Sequence, residues 1–101
     1  SFLMGSDDHW AYPADGEGPV HEVEIAAFAL AAAPVTNDAF ALFVNATGYV
    51  TTAERFGSSF VFGGLLPDDF PPTRGVVGAE WWREVEGACW LAPEGPQSSI
   101  A

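Results

Sequence analysis

The chain has 101 residues, nearly half of them apolar, with 4 Trp, 8 Phe and 2 Tyr, which excludes a disordered tail and asks for a packed core. Its 14 Asp and Glu against 3 Lys and Arg give a formal charge of -11, which repels polyanions and excludes nucleic acid as a partner. That charge is read either as a solvated acidic surface or as a groove for a basic peptide.

Phe2-Leu3-Met4 followed by Gly5-Ser6-Asp7-Asp8 reads as a strand entered partway and closed by a turn, as expected of a chain truncated at its start. Residues 7–19 are rich in Asp, Pro and Gly and read as a loop. His21-Glu22-Val23-Glu24-Ile25 alternates polar and apolar, predicting a half-buried strand with Val23 and Ile25 facing inward. The clearest element is a helix with Thr36 as N-cap and Asp38 in its first turn. Phe40, Phe43, Val44 and Thr47 recur along it at helical spacing, and Gly48 stops it. Tyr49-Val50-Thr51-Thr52 reads as extended and Ser59-Phe60-Val61-Phe62 as a β-rich run, while Gly63 to Arg74, with three prolines and two glycines, reads as loop.

Trp81, Trp82 and Trp90 fall within ten residues, ahead of Pro93-Glu94-Gly95-Pro96. One helix and a few short strands are too little regular structure to bury so many aromatics, so exposed apolar surface and a missing C-terminal partner are expected. The tryptophans suit a peptide cleft and a core equally. No run approaches the about 18 apolar residues of a membrane span, and no basic region precedes an apolar run at the start.

Chemistry-bearing residues are sparse. His9 and His21 lie near Asp7, Asp8 and Glu22, but the spacing matches no compact metal site, and a loop histidine and a strand-edge histidine account for them. Cys89 is the single cysteine, which excludes an internal disulfide or a multi-cysteine metal site within these residues. With no histidine in the sixty residues before it, Cys89 reads as a packed small hydrophobe rather than a nucleophile. Asn45-Ala46-Thr47 forms a glycosylation sequon at the end of the predicted helix, where occupancy is not expected in a bacterium.

The ordered phrases Phe2-Leu3-Met4-Gly5-Ser6, Gly18-Pro19-Val20-His21-Glu22-Val23 and Pro34-Val35-Thr36-Asn37, with Phe40 and Phe43-Val44, resemble the start of the sulfatase-modifying-factor superfamily. Ala46-Thr47-Gly48-Tyr49-Val50-Thr51, Ala53-Glu54, Ser59-Phe60-Val61-Phe62, Trp81-Trp82, Gly87-Ala88-Cys89-Trp90, Pro93-Glu94-Gly95-Pro96 and Ser99-Ile100 resemble its formylglycine-generating branch. The resemblance spans essentially the whole chain. It implies a loop-rich α+β fold related to C-type lectins, with residues 1–101 as the N-terminal part of one domain truncated at both ends.

It also implies a parent oxidase that uses O2 and copper to convert a cysteine in a Cys-x-Pro-x-Arg segment of a sulfatase polypeptide to formylglycine. The parent would be a monomer with no membrane span, cytoplasmic if bacterial. The family's two copper-binding cysteines and its calcium ligands fall outside these residues. Cys89 matches a position before Trp that is not one of the pair, so no catalytic or metal-binding residue is expected here and the 101 residues alone should be inactive.

By the same resemblance Trp81 and Ala53 belong to the apolar wall that receives the peptide. Pro34 and Ser58 match two acidic positions that hold the substrate arginine in the animal enzymes. Neither is charged, and Glu54 or Asp38 are the nearby carboxylates that could substitute. Two other classes fit the scaffold: a non-catalytic lectin-like or peptide-binding module, and an iron-dependent oxidase of small thiols, against which the second half of the chain argues.

Overall fold

The computed structural model describes residues 1–101, which divide into two compact units, Ser1–Ala33 and Pro34–Ala101.

In the first unit, strand β1 (Phe2–Met4) pairs antiparallel with β2 (His21–Val23), Phe2 opposite Val23 and Met4 opposite His21. The loop between them is organised by three of its own carboxylates, each of which captures a main-chain N–H that no strand partner would satisfy. Asp8 Oδ1 accepts from Trp10 N at 2.9 Å, Asp7 Oδ1 from Val20 N at 3.2 Å and Glu17 Oε2 from Tyr12 N at 2.7 Å. The strand at 21–25 is shorter than its alternation predicts: β2 ends at Val23, which is half-buried, and Ile25 lies beyond it, 52% exposed rather than inward. Two strands of three residues offer only one shallow face, too little to bury a second inward position.

The second unit holds both α-helices. Helix α1 (Asn37–Thr47) has the expected cap, Thr36 Oγ1 accepting from Ala39 N at 3.1 Å. It ends at Gly48, whose φ of +66° is the left-handed conformation that lets its N–H reach Val44 O at 2.8 Å. Tyr49 to Thr52 is not one extended run, because helix α2 (Thr52–Phe56) begins inside it. Thr51 and Glu54 form a reciprocal capping box, and this Thr-x-x-Glu pattern outweighs the β-propensity of two adjacent threonines.

Gly57 ends α2 and launches β3 (Ser58–Phe62), the edge of a three-stranded antiparallel sheet in the order β3-β5-β4. Strand β5 (Ala79–Glu86), the longest element of the sheet, is central; β4 (Gly75–Val76) is short. Ser58 stands opposite Glu86, Phe60 opposite Glu84 and Phe62 opposite Trp82. Because strand side chains alternate in direction, these six share one face, while Ser59, Val61, Trp81, Arg83 and Val85 share the other. The second face carries the core, in which Val61, Val85 and Ala88 are buried and Leu66 and Phe70 pack against them.

Arg83 uses that face differently. Its Nε donates to Thr73 Oγ1 at 2.9 Å, its Nη2 to Thr73 O and its Nη1 to Glu80 O at 3.2 Å. The side chain passes between Gly63 and Gly75, where a β-carbon at Gly75 would press into the guanidinium. One half-buried arginine fork thus fixes the Pro-rich loop at Thr73 against the sheet.

With only three fully buried apolar residues, each carries a large share of the packing in this unit. Val85→Ala, which removes two methyl-sized groups from a site 1% exposed, is expected to cost about 2 kcal/mol in chemical denaturation of the natural polypeptide carrying these residues. A loss below about 0.5 kcal/mol would show that Val61, Val85 and Ala88 are not the core.

Candidate functional site

The four residues matched to the peptide groove all lie in the second unit. Pro34 is exposed ahead of α1. Ala53 is half-buried on α2 and accepts from Gly57 N at 2.8 Å, so it lies next to the turn that places Ser58. Ser58 opens β3, and Trp81 sits on β5 with 57% of its surface exposed. The sheet register separates the last two: Ser58 and Trp81 project from opposite faces, about 17 Å apart along the strand direction.

The structure instead brings to Ser58 a residue that sequence reasoning missed. Ser58 Oγ donates to Glu84 Oε1 at 3.2 Å, and Glu84 Oε2 pairs with Arg74 Nη2 at 2.7 Å. The Glu84 side chain is 29% exposed, whereas that of Arg74 is 84% exposed. On the Ser58 side, a hollow of about 360 Å³ is lined by Phe56, Ser58, Ser59, Phe60 and Glu84. On the Arg74 side a second hollow, of about 470 Å³, runs along Phe70, Pro71, Pro72 and Pro96 and includes both Glu84 and Glu86. A half-buried carboxylate oriented by a hydroxyl, with aromatic rings beside it, can bind a guanidinium or ammonium group. The signal for Glu84 is its two-residue step from Trp82, which aligns it with Ser58 only once the β3–β5 register is known.

The two carboxylates closer in sequence have other employment. Asp38 is exposed in the first turn of α1, where it complements the helix dipole. Glu54 Oε2 accepts from Thr51 Oγ1 at 2.7 Å and from Thr51 N at 2.8 Å, while Glu54 N donates to Thr51 Oγ1 at 3.3 Å. The Thr51 hydroxyl, and then the Thr51 N–H, hold the Glu54 carboxyl below its ordinary value; slight desolvation of this exposed side chain opposes them, and the Trp90 indole adds a weaker pull in the same downward direction. That buried indole N–H completes no hydrogen bond of its own, so it acts on Glu54 from beyond bonding geometry. Trp90 itself stacks edge-on against Phe40 at 4.9 Å, and Phe43 links Phe40 to Tyr49. Of the three clustered tryptophans, Trp90 therefore packs inward while Trp81 and Trp82 stay substantially exposed.

Cys89 is a free thiol, half-buried rather than fully packed, and its main chain is tied to Ala92 in both directions at 3.1 Å. His9 is an exposed neighbour of Asp8, and His21 Nδ1 lies 2.8 Å from Pro19 O. No three His, Cys, Asp or Glu side chains come together as a metal site. A two-thiolate copper site does not fit residues that include one cysteine. No helix is long and apolar enough to cross a membrane.

The model of the sulfatase-modifying factor enzyme 1-like domain matches residues 1–101. The chain belongs to this family. It is 52% identical over 101 residues to a formylglycine-generating enzyme of Thermomonospora curvata, covering 99% of this chain and 33% of that protein. A formylglycine-generating enzyme of Bos taurus is 46% identical over 101 residues, covering 98% of this chain and 27% of the relative. A Bos taurus protein named inactive C-alpha-formylglycine-generating enzyme 2 is 45% identical, again over 98% of this chain and 33% of its own length. The chain thus spans about a third or less of the curated relatives it matches. Within this family member, helices and small antiparallel sheets make a mixed α+β fold, as expected.

The Glu54 cap yields a pH prediction. Its folded value lies below the unfolded one, so the cap's stabilisation is complete above the ordinary value of 4.5 and is lost as pH falls through the lower folded value. In an NMR titration the Thr51 amide resonance should move with a midpoint below 4.5, and the movement should vanish in Glu54→Gln. A midpoint at or above 4.5 would mean that the capping box does not hold the ionised carboxylate.

Proposed function

We propose that these residues form part of the peptide-binding wall of a formylglycine-generating oxidase, and that Glu84 presents the carboxylate that receives the arginine of a Cys-x-Pro-x-Arg segment in a sulfatase polypeptide. The supporting observation is the Ser58–Glu84 pair beside Phe56 and Phe60, within a chain that the family model matches from residue 1 to residue 101. Ser58 carries no charge, yet it aims one carboxylate oxygen across the sheet, so the negative charge arrives from the neighbouring strand. Trp81, Ala53 and Pro34 supply apolar contact to the remainder of the peptide. A peptide that uses both Ser58 and Trp81 must pass around β3, the sheet's edge strand.

On this reading residues 1–101 are part of one sulfatase-modifying-factor domain with a C-type-lectin-related scaffold. Oxidation of the cysteine draws on O2 and on copper held by residues other than these. Calcium, where the parent binds it, is likewise held elsewhere. What this portion contributes is positioning: it excludes water along an apolar wall and anchors the peptide's cationic end.

A second reading is favoured by one observation, the 45% identity to a relative named inactive. A non-catalytic peptide-binding module would keep the wall and lack the oxidation. Mass spectrometry of a Cys-x-Pro-x-Arg peptide incubated with the natural polypeptide separates the two, since the oxidase converts the thiol to an aldehyde and the module returns the peptide unchanged.

For the wall itself, Glu84→Gln is expected to weaken binding of a fluorescent Cys-x-Pro-x-Arg peptide about tenfold, and to leave binding of the citrulline-substituted peptide unaltered. Trp81→Ala should weaken both peptides alike. Equal losses for the two peptides in Glu84→Gln would remove Glu84 from arginine recognition.

A further inference from the structure

We infer that Arg74 is a built-in competitor for the guanidinium subsite, an intramolecular occupant of Glu84 that sets how tightly an arginine-bearing peptide is held. The inference rests on the peptide-wall reading above and adds a specificity-determining residue to it.

Arg74 Nη2 lies 2.7 Å from Glu84 Oε2, while Oε1 of the same carboxylate accepts from Ser58. An incoming guanidinium makes its strongest contact when its two N–H groups meet both carboxylate oxygens in parallel. Ser58 can turn its hydroxyl without leaving, but Arg74 must give up its oxygen. The chain therefore shows the chemistry of the guest in one of its own side chains.

Two features fit Arg74 for temporary occupancy. Its main chain is fixed: Glu84 N donates to Arg74 O at 2.8 Å, and the preceding Thr73 is gripped by the Arg83 fork. Its side chain is not enclosed, being 84% exposed. A tethered group returns to its partner at high effective concentration, whereas an ion pair so exposed contributes little in water. The result is a weak resident that excludes non-specific cations and yields to a guest with more to offer. A guest reaching Glu84 through the hollow on the Ser58 side also meets the exposed rings of Phe56 and Phe60, whose faces favour a cation. Arg74 approaches from the opposite side, along the Pro-rich loop, and is not among the residues lining that hollow.

The test is a binding cycle on the natural polypeptide carrying these residues, with arginine and citrulline versions of a fluorescent Cys-x-Pro-x-Arg peptide. Arg74→Gln is expected to tighten the arginine peptide about two- to fivefold, matching an exposed ion pair, and to leave the citrulline peptide unchanged. Arg74→Lys should lie between the two, because an ammonium competes as a point charge without the guanidinium fork. In the Glu84→Gln background, Arg74→Gln should change nothing. If Glu84→Gln weakens the arginine peptide but Arg74→Gln leaves it equal or weaker, the competitor role is overturned and the peptide wall stands. If the parent chain does not distinguish arginine from citrulline, both fall.

Discussion

The structure of the second unit depends on one strand having partners on both sides. Strand β5 pairs with β3 along one edge and with β4 and Arg74 along the other, so its main-chain groups are satisfied chiefly by neighbouring main chain, with Arg83 Nη1 donating to Glu80 O. Its side chains are then free to divide strictly by position. Even-numbered Trp82, Glu84 and Glu86 go to one face with Phe60 and Ser58, and odd-numbered Arg83 and Val85 go to the other with Val61. A one-residue slip would move Val85 out of the core and Glu84 away from Ser58 together. Core and candidate site are therefore specified by the same register.

The acidic composition has local work as well as a global sign. Asp7, Asp8 and Glu17 organise a loop that has no strand partner, and Glu54 caps a helix of five residues. Neither role needs a basic ligand. Glu84 differs because its partner is an exposed arginine rather than a fixed N–H, and because open hollows lie on both sides of it. The solvated-surface account of the charge serves most of these carboxylates, and the basic-peptide account narrows to one of them.

What was legible in the sequence was the part governed by short-range chemistry. Thr36, the apolar spacing through Val44 and Gly48 defined α1 because cap, periodicity and stop all act within a few residues. The start of α2 was legible by the same logic in Thr51 and Glu54, but two β-branched threonines in a row masked it. Strand β5 was harder: Trp81-Trp82 breaks the alternation that marks a half-buried strand, because both residues keep about half of their surface exposed at the end of the sheet where the core has run out. Glu84 could not be read locally at all, since its relation to Ser58 spans 26 residues and exists only through pairing. The alternation that reveals Glu84 also separates Trp81 from Ser58, two positions that resemblance had assigned to one groove.

Similarity over these residues reaches 52% for a formylglycine-generating enzyme and 45% for a protein named inactive. A stretch that resembles both kinds this closely does not by itself separate catalysis from its absence. On the proposed reading, what this stretch supplies is a scaffold that holds an extended peptide. The residues here suit that reading through exposed tryptophans and a carboxylate held between a hydroxyl and an arginine. Recognition needs a shaped wall and one well-aimed charge, both of which a small sheet with a fixed register provides.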